Sequence, residues 1–139
     1  LCAFELTMDA LRRNEIVEAW IAMSLATHGS EAFEQNFWAL EIIWDLCKEA
    51  PLEAWEVMLG LIEAAPSEKL LAAVGAGPFE DLMCDHGEVV ISLVEQEAAK
   101  NEKLLAAMSS VWLDSKDTPV WRKFYEVAKV EPPFPENSA

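Results

Sequence analysis

Basic residues are few in this chain. It carries 10 Lys and Arg against 25 Asp and Glu, a formal net charge of −15. A protein that grips nucleic acid nonspecifically uses Lys and Arg to neutralise phosphates and release counterions. A field of this sign therefore excludes direct nucleic-acid binding, and it keeps the chain off anionic membranes. Glycine is also scarce, with only 5 residues, so the closely spaced turns of an all-β fold lack the residues to make them. The three cysteines, Cys2, Cys47 and Cys84, form no CxxC pair. An odd, widely spaced set suits neither a disulfide framework nor a zinc site, and it fits a reducing, cytoplasmic compartment. No apolar run approaches the roughly 18 residues of a membrane span. No secretory signal is visible in a chain that opens LCAFELTM, without an initiator Met.

What is present is the material of one helical domain. The 139 residues are 53% hydrophobic, and six Trp and six Phe supply large apolar surfaces. The segment EKLLAA occurs at Glu68–Ala73 and again 34 positions later at Glu102–Ala107. Upstream of each copy lies Glu-Ala-Ala, at Glu63–Ala65 and Glu97–Ala99, so nine residues in eleven match without a gap. Ser67 and Asn101 precede the two copies, and both are good N-cap residues. A weaker third copy lies upstream, where Glu18-Ala19-Trp20 resembles Glu53-Ala54-Trp55 and Ser30-Glu31 resembles Ser67-Glu68. A period of 34–37 residues with two helices per unit predicts an α-solenoid, in which stacked hairpins bury what one hairpin cannot.

The predicted fold is all-α: a short, right-handed, α-solenoid-like stack of antiparallel helical hairpins, with about 7–8 helices. The first helix runs from about Met8 to Thr27, with a break near Asn14. Ser30 caps a second helix, to about Glu49, and Pro51 opens a third that ends at Ala65-Pro66. Ser67 caps a fourth, broken at Gly75-Ala76-Gly77, and Pro78 restarts a fifth to about Asp85. A sixth covers Glu88–Ala99, and Asn101 caps a seventh to about Leu113. Asp117 or Thr118 caps the last, with Pro119 at its first position. Residues 1–130 form one helical-repeat domain, and 131–139 a loose Pro-rich C-terminal tail.

Two surfaces stand out. On the second helix Phe33, Phe37, Leu40, Ile43, Trp44 and Cys47 share the core face, while Glu34, Glu41 and Asp45 fall together elsewhere with Trp38 beside them. On the third, Leu52, Trp55, Met58, Leu59 and Ile62 are apolar, while Glu53 and Glu56 join Glu63 opposite. From Glu31 to Glu63 there are eight acids and one base, Lys48. Most such stripes are solvated helix surface. The sharper expectation is a docking face for a basic protein, with Trp38 as its apolar anchor. The last helix carries Arg122, Lys123 and Lys129 beside Trp121, Phe124 and Tyr125. That basic end offers a route to a homodimer through the acidic stripe of a second copy.

Catalytic signatures are missing. Gly75–Pro78 reads GAGP, but no strand precedes it, no third Gly or Lys follows, and Glu80 and Asp81 stand where a phosphate would sit. There is no HExxH or GxSxG, and no cofactor is called for. Asp81, Cys84, Asp85, His86 and Glu88 are a local cluster, with Asp81 and Asp85 on one helical face. This cluster supports an alternative, an enzyme or metal-dependent protein using Asp81, Asp85 and His86.

Leu71–Met83 reads LAAVGAGPFEDLM and is followed by Asp85-His86-Gly87. This GAGPxEDL-type segment resembles a family of small bacterial proteins classed as a domain of unknown function. In that family an LGAGPLEDLL-like segment followed by HG comes after an alanine-rich helix. The upstream EAW and FWALEIIWDL segments are similar too, so the resemblance spans about Asp9 to Lys129. It implies a bacterial helical-repeat protein and brings no activity or catalytic residues. More distantly the layout resembles HEAT-like repeats, which commonly serve as protein-binding scaffolds. Together these readings predict a noncatalytic protein–protein interaction module with an acidic binding surface, an immunity or inhibitor protein being one specific form.

Overall fold

In the computed structural model of the chain, which describes residues 9–111 and 117–132, every regular element is a helix. The all-α class predicted from composition and periodicity is the class observed. Asp9 caps α1, Ala10–Leu25, by accepting from the Arg12 amide at 2.8 Å. That helix runs unbroken past Asn14. The chain turns at Gly29, which has φ +81°, a value that favours glycine. Ser30 Oγ then accepts from the Phe33 amide and starts α2, Glu31–Asn36. α3, Trp38–Glu49, follows after Phe37, and Pro51 opens α4, Pro51–Ala64. Ser67 caps α5, Glu68–Val74, which passes directly through a π-helical turn, Gly75–Phe79, into α6, Glu80–Ala98. Asn101 caps α7, Glu102–Met108, and Thr118 caps α8, Pro119–Ala128.

α5, the π turn and α6 are continuous, so these eight α-helical segments form seven runs among the described residues, the lower end of the seven or eight predicted. Of two expected breaks, one is continuous helical backbone and the other is a kink. Gly75 keeps right-handed helical angles, φ −63° and ψ −49°, and the π turn absorbs the missing N–H of Pro78. The Glu80 amide reaches back five residues to the Gly75 carbonyl, so the fourth and fifth predicted helices are one run. At His86-Gly87, where the sequence places the boundary between the fifth and sixth helices, two helical stretches meet with no loop between them. His86 adopts φ −143° and ψ 37°, which kinks α6 without ending it. The expected extension of the seventh helix to Leu113, and the tail from residue 133 onward, lie outside the described residues.

The two EKLLAA copies build the same local structure. Ser67 Oγ accepts from the Leu70 amide at 3.2 Å, and Asn101 Oδ1 from the Leu104 amide at 3.0 Å. Leu70 and Leu104 are buried, as are Val74 and Met108 one turn further on. α5 and α7 pack on one another, with Gly75 directly against the Ala107 carbonyl.

One hydrophobic core joins all these helices except α2, which packs half-buried side chains against it. α4 is central and touches α1, α3, α5, α6 and α7. Accordingly Ala54, Trp55, Val57, Met58, Leu61 and Ile62 are buried around much of its circumference, as expected of a helix surrounded by others. α8 closes the far side, stacking Trp121, Phe124 and Tyr125 over α6 and α7. The Tyr125 hydroxyl donates to the buried Val111 carbonyl at 2.9 Å. Among the described residues, no helix is long and apolar enough to cross a membrane.

Two residues assigned to the core face are not in it. Trp44 is 42% exposed. Within α3 the buried stripe is Ala39, Ile43 and Cys47, and Trp44 lies about 100° around from Ile43. Leu52, 57% exposed, sits in the first turn of α4 beyond the reach of the core.

Candidate functional site

The acidic stripes lie on α2, α3 and α4. Glu34, Glu41, Asp45 and Glu56 are exposed and Glu53 is half-buried. Trp38 is half-buried against the core, and the Arg12 guanidinium lies 5.0 Å from its ring centroid. That cation–π contact occupies the surface on which an apolar anchor was expected. The exposed indole on this side is Trp44 instead. An aromatic chain from His28 through Phe33 and Phe37 reaches it, and the last step is edge-on at 6.1 Å.

α3 and α6 pack together and leave a cleft of about 370 Å³ between them, lined by Trp44, Asp45, Cys47, Lys48, Asp81 and Asp85. The structure thus brings Asp45 of the predicted docking stripe together with Asp81 and Asp85 of the predicted metal cluster. Glu34, Glu41, Glu53 and Glu56 do not line this cleft. The signal for it was available in part: Asp81 and Asp85 are four apart on one helical face. That this face meets the C-terminal half of α3 depends on tertiary packing alone.

His86 ties α6 to the end of α3. Its Nε2 lies 2.7 Å from the Lys48 carbonyl. A carbonyl can only accept, so Nε2 carries the proton and donates. This bond satisfies one of the last carbonyls of α3, which have no partner within their own helix. The kink at His86 places the ring there, so the side chain acts as a cap from a distant helix. The metal alternative lacks a ligand set: among the described residues, no group of three or more His, Cys, Asp or Glu is placed to hold a metal ion.

The electrostatics follow from burial and crowding. Partial burial pushes the Asp81 carboxyl above its ordinary value. The nearby Asp85 charge pushes it the same way, and Lys48 opposes both. A raised carboxyl costs native stability once ionised. The cost is absent below the unfolded value of 3.8 and complete above the higher folded value. Asp81→Asn should therefore stabilise the protein at pH 7 and raise its Tm. Thermal unfolding across pH checks this: the gain must disappear as pH falls below 3.8.

Cys47 is 1% exposed, and its thiol donates to the Pro78 carbonyl at 3.7 Å. Burial, reinforced by Asp81 and Asp85, pushes it up to about 12. A thiol so far from its thiolate is a poor nucleophile. In a Cys2→Ser variant, Ellman's reagent should label the exposed Cys84 in the native state and reach Cys47 only after denaturation. Rapid labelling of both thiols in native buffer would contradict this.

Two cations of the predicted basic end, Arg122 and Lys123, are paired within the chain. Arg122 pairs with Asp117 at 2.6 and 2.8 Å, and Lys123 bridges Glu95 and Glu126 at 3.0 and 3.5 Å. By contrast, none of the eight carboxylates from Glu31 to Glu63 forms an ion pair with a described residue.

No curated protein and no solved structure matches the chain. The sequence profile of one family matches residues 26–131, from the turn after α1 to the end of α8 and just beyond. That span includes the GAGP turn, both EKLLAA copies and the α3–α6 cleft. The chain therefore belongs to the family of unknown function DUF6869.

Proposed function

We propose that this domain is a noncatalytic protein-interaction module whose acidic surface on α2, α3 and α4 docks a basic protein partner. The observation that carries this reading is the segregation of charge. The ion pairs among the described residues lie on α1 or at the α6–α8 end, and none of them involves an α2–α4 carboxylate. An uncompensated field of one sign speeds and selects encounters with the opposite sign. In this reading the hairpins form a short HEAT-like stack in a bacterial cytoplasm, and the EKLLAA copies mark two of its units. An immunity or inhibitor protein that masks a basic enzyme is one form the function takes. Homodimerisation through α8 has less support, because Arg122 and Lys123 are engaged within the chain.

The test is affinity capture from host lysate at low and high salt, with the triple variant Glu34→Lys, Glu41→Lys, Asp45→Lys as control. A stoichiometric basic protein held by the wild type at low salt, and lost with the variant, supports the proposal. Capture that ignores both salt and the variant overturns it.

A further inference from the structure

The cleft between α3 and α6 combines features that a solvated acidic stripe does not. Its wall includes Trp44, a large apolar side chain left 42% exposed. Carboxylates from two different helices, Asp45 on one and Asp81 and Asp85 on the other, line the same concavity. Three carboxylates alone would be ordinary surface; the exposed indole among them is what points to an occupant. The indole is also held in place, because Phe37 meets it edge-on. We propose that this cleft receives an arginine side chain of the basic partner, its guanidinium against the Trp44 indole and paired with Asp81 and Asp85.

The proposal rests on the acidic-docking reading and names its point of contact. A guanidinium suits the site better than an ammonium. It is planar, stacks on aromatic rings, offers a fork of donors to carboxylates, and gives up its hydration more readily. The protein already uses this pairing once, where Arg12 covers Trp38. An incoming cation would also relieve the repulsion between Asp81 and Asp85, which adds to burial in pushing the Asp81 carboxyl up. Lys48 is the one basic residue lining the cleft, and it partly offsets the carboxylates. It therefore competes with the incoming arginine, which gives the proposal a prediction of unusual sign: removing Lys48 should tighten binding.

The probe is an oligoarginine peptide, with oligolysine of equal length as comparison, titrated at low salt into ¹⁵N-labelled protein. The Trp44→Leu variant assigns the Trp44 indole resonance. Binding should shift that resonance and leave the Trp38 indole in place. Trp44→Leu should weaken oligoarginine about fivefold, the size of a partly exposed cation–π contact, and Asp81→Asn should weaken it further. Lys48→Gln should strengthen it. Oligolysine should bind more weakly than oligoarginine to the wild type and equally to Trp44→Leu. If oligoarginine binds wild type and Trp44→Leu alike, or Lys48→Gln weakens it, the cleft is not the receptor, although the acidic-docking reading stands. If neither peptide binds at low salt, both readings fall.

Discussion

Phe79→Ala is expected to lower stability by about 3–5 kcal/mol, the range for a fully buried phenylalanine cut to a methyl group. For a domain of this size that is roughly 12–20 °C in the midpoint of thermal unfolding. Phe79 is 0% exposed and joins three parts of the core. Its ring lies 6.2 Å from that of Trp55 in the central helix and 5.7 Å, nearly edge-on, from that of Phe124 in the closing helix. Few positions could collapse to fill the space, because the neighbours are themselves large rings fixed on separate helices. The residue ends the π-helical turn, so its placement depends on backbone that no neighbouring side chain can restore. Circular dichroism on heating measures the effect. A loss below about 1 kcal/mol would mean that the site collapses easily and that Phe79 does not link Trp55 of the central helix to Phe124 of the closing helix.

Gly75→Ala should show a sign opposite to that of helix propensity. In a helix interior, alanine is normally better than glycine by about 1 kcal/mol. At Gly75 the added Cβ would overlap the Ala107 carbonyl oxygen, with the Ala107 carbonyl carbon at 2.9 Å and Ser110 Cβ at 3.3 Å. The obstacle is backbone, which cannot rotate aside as a long side chain can. The two EKLLAA helices would have to separate, at a cost of about 2–3 kcal/mol. Gly77→Ala, two residues away, provides the internal control. Nothing lies within 4 Å of its added Cβ, so it should raise stability by about 0.5–1 kcal/mol. Denaturant titration of the pair measures the contrast. Equal midpoints for Gly75→Ala and Gly77→Ala would mean that α5 and α7 do not meet as closely as described.

The starts of the helices were legible in the sequence because they are set by single residues. Ser30, Ser67, Asn101 and Thr118 each accept from the amide three residues on, and Pro51 and Pro119 each open a helix. The ends and junctions were less legible, because glycine and proline allow a break without requiring one. GAGP predicts a break in the helix and forms a π turn, since Gly75 keeps helical angles under packing from α7. His86-Gly87 was read as a stop and is a kink, since His86 reaches the end of α3. Trp44 falls on the core face when Ser30–Glu49 is a single helix, whereas in α3 it lies off the buried Ala39, Ile43 and Cys47 stripe and is exposed. The acidic stripes were plain in the sequence. The cleft was not: it needs α3 and α6 side by side, and no pattern within either helix encodes that.

The π-helical turn also changes what an insertion or a deletion means in this stretch. Ala76 is exposed, and its side chain by itself gives no reason for the residue to be there. Yet each residue in a helix advances the facing direction by about 100°. The chain from Gly75 to Phe79 therefore works as a phase setting between α5 and everything that follows. Without one residue here, Leu82, Met83 and Val90 would point away from the core and the acidic pair Asp81 and Asp85 would turn off the cleft. The same loss in the loop at Thr27–Ser30 would shorten a connection and rotate nothing. Relatives of this domain should thus vary freely in the identity of residue 76 and hold the length of the segment fixed.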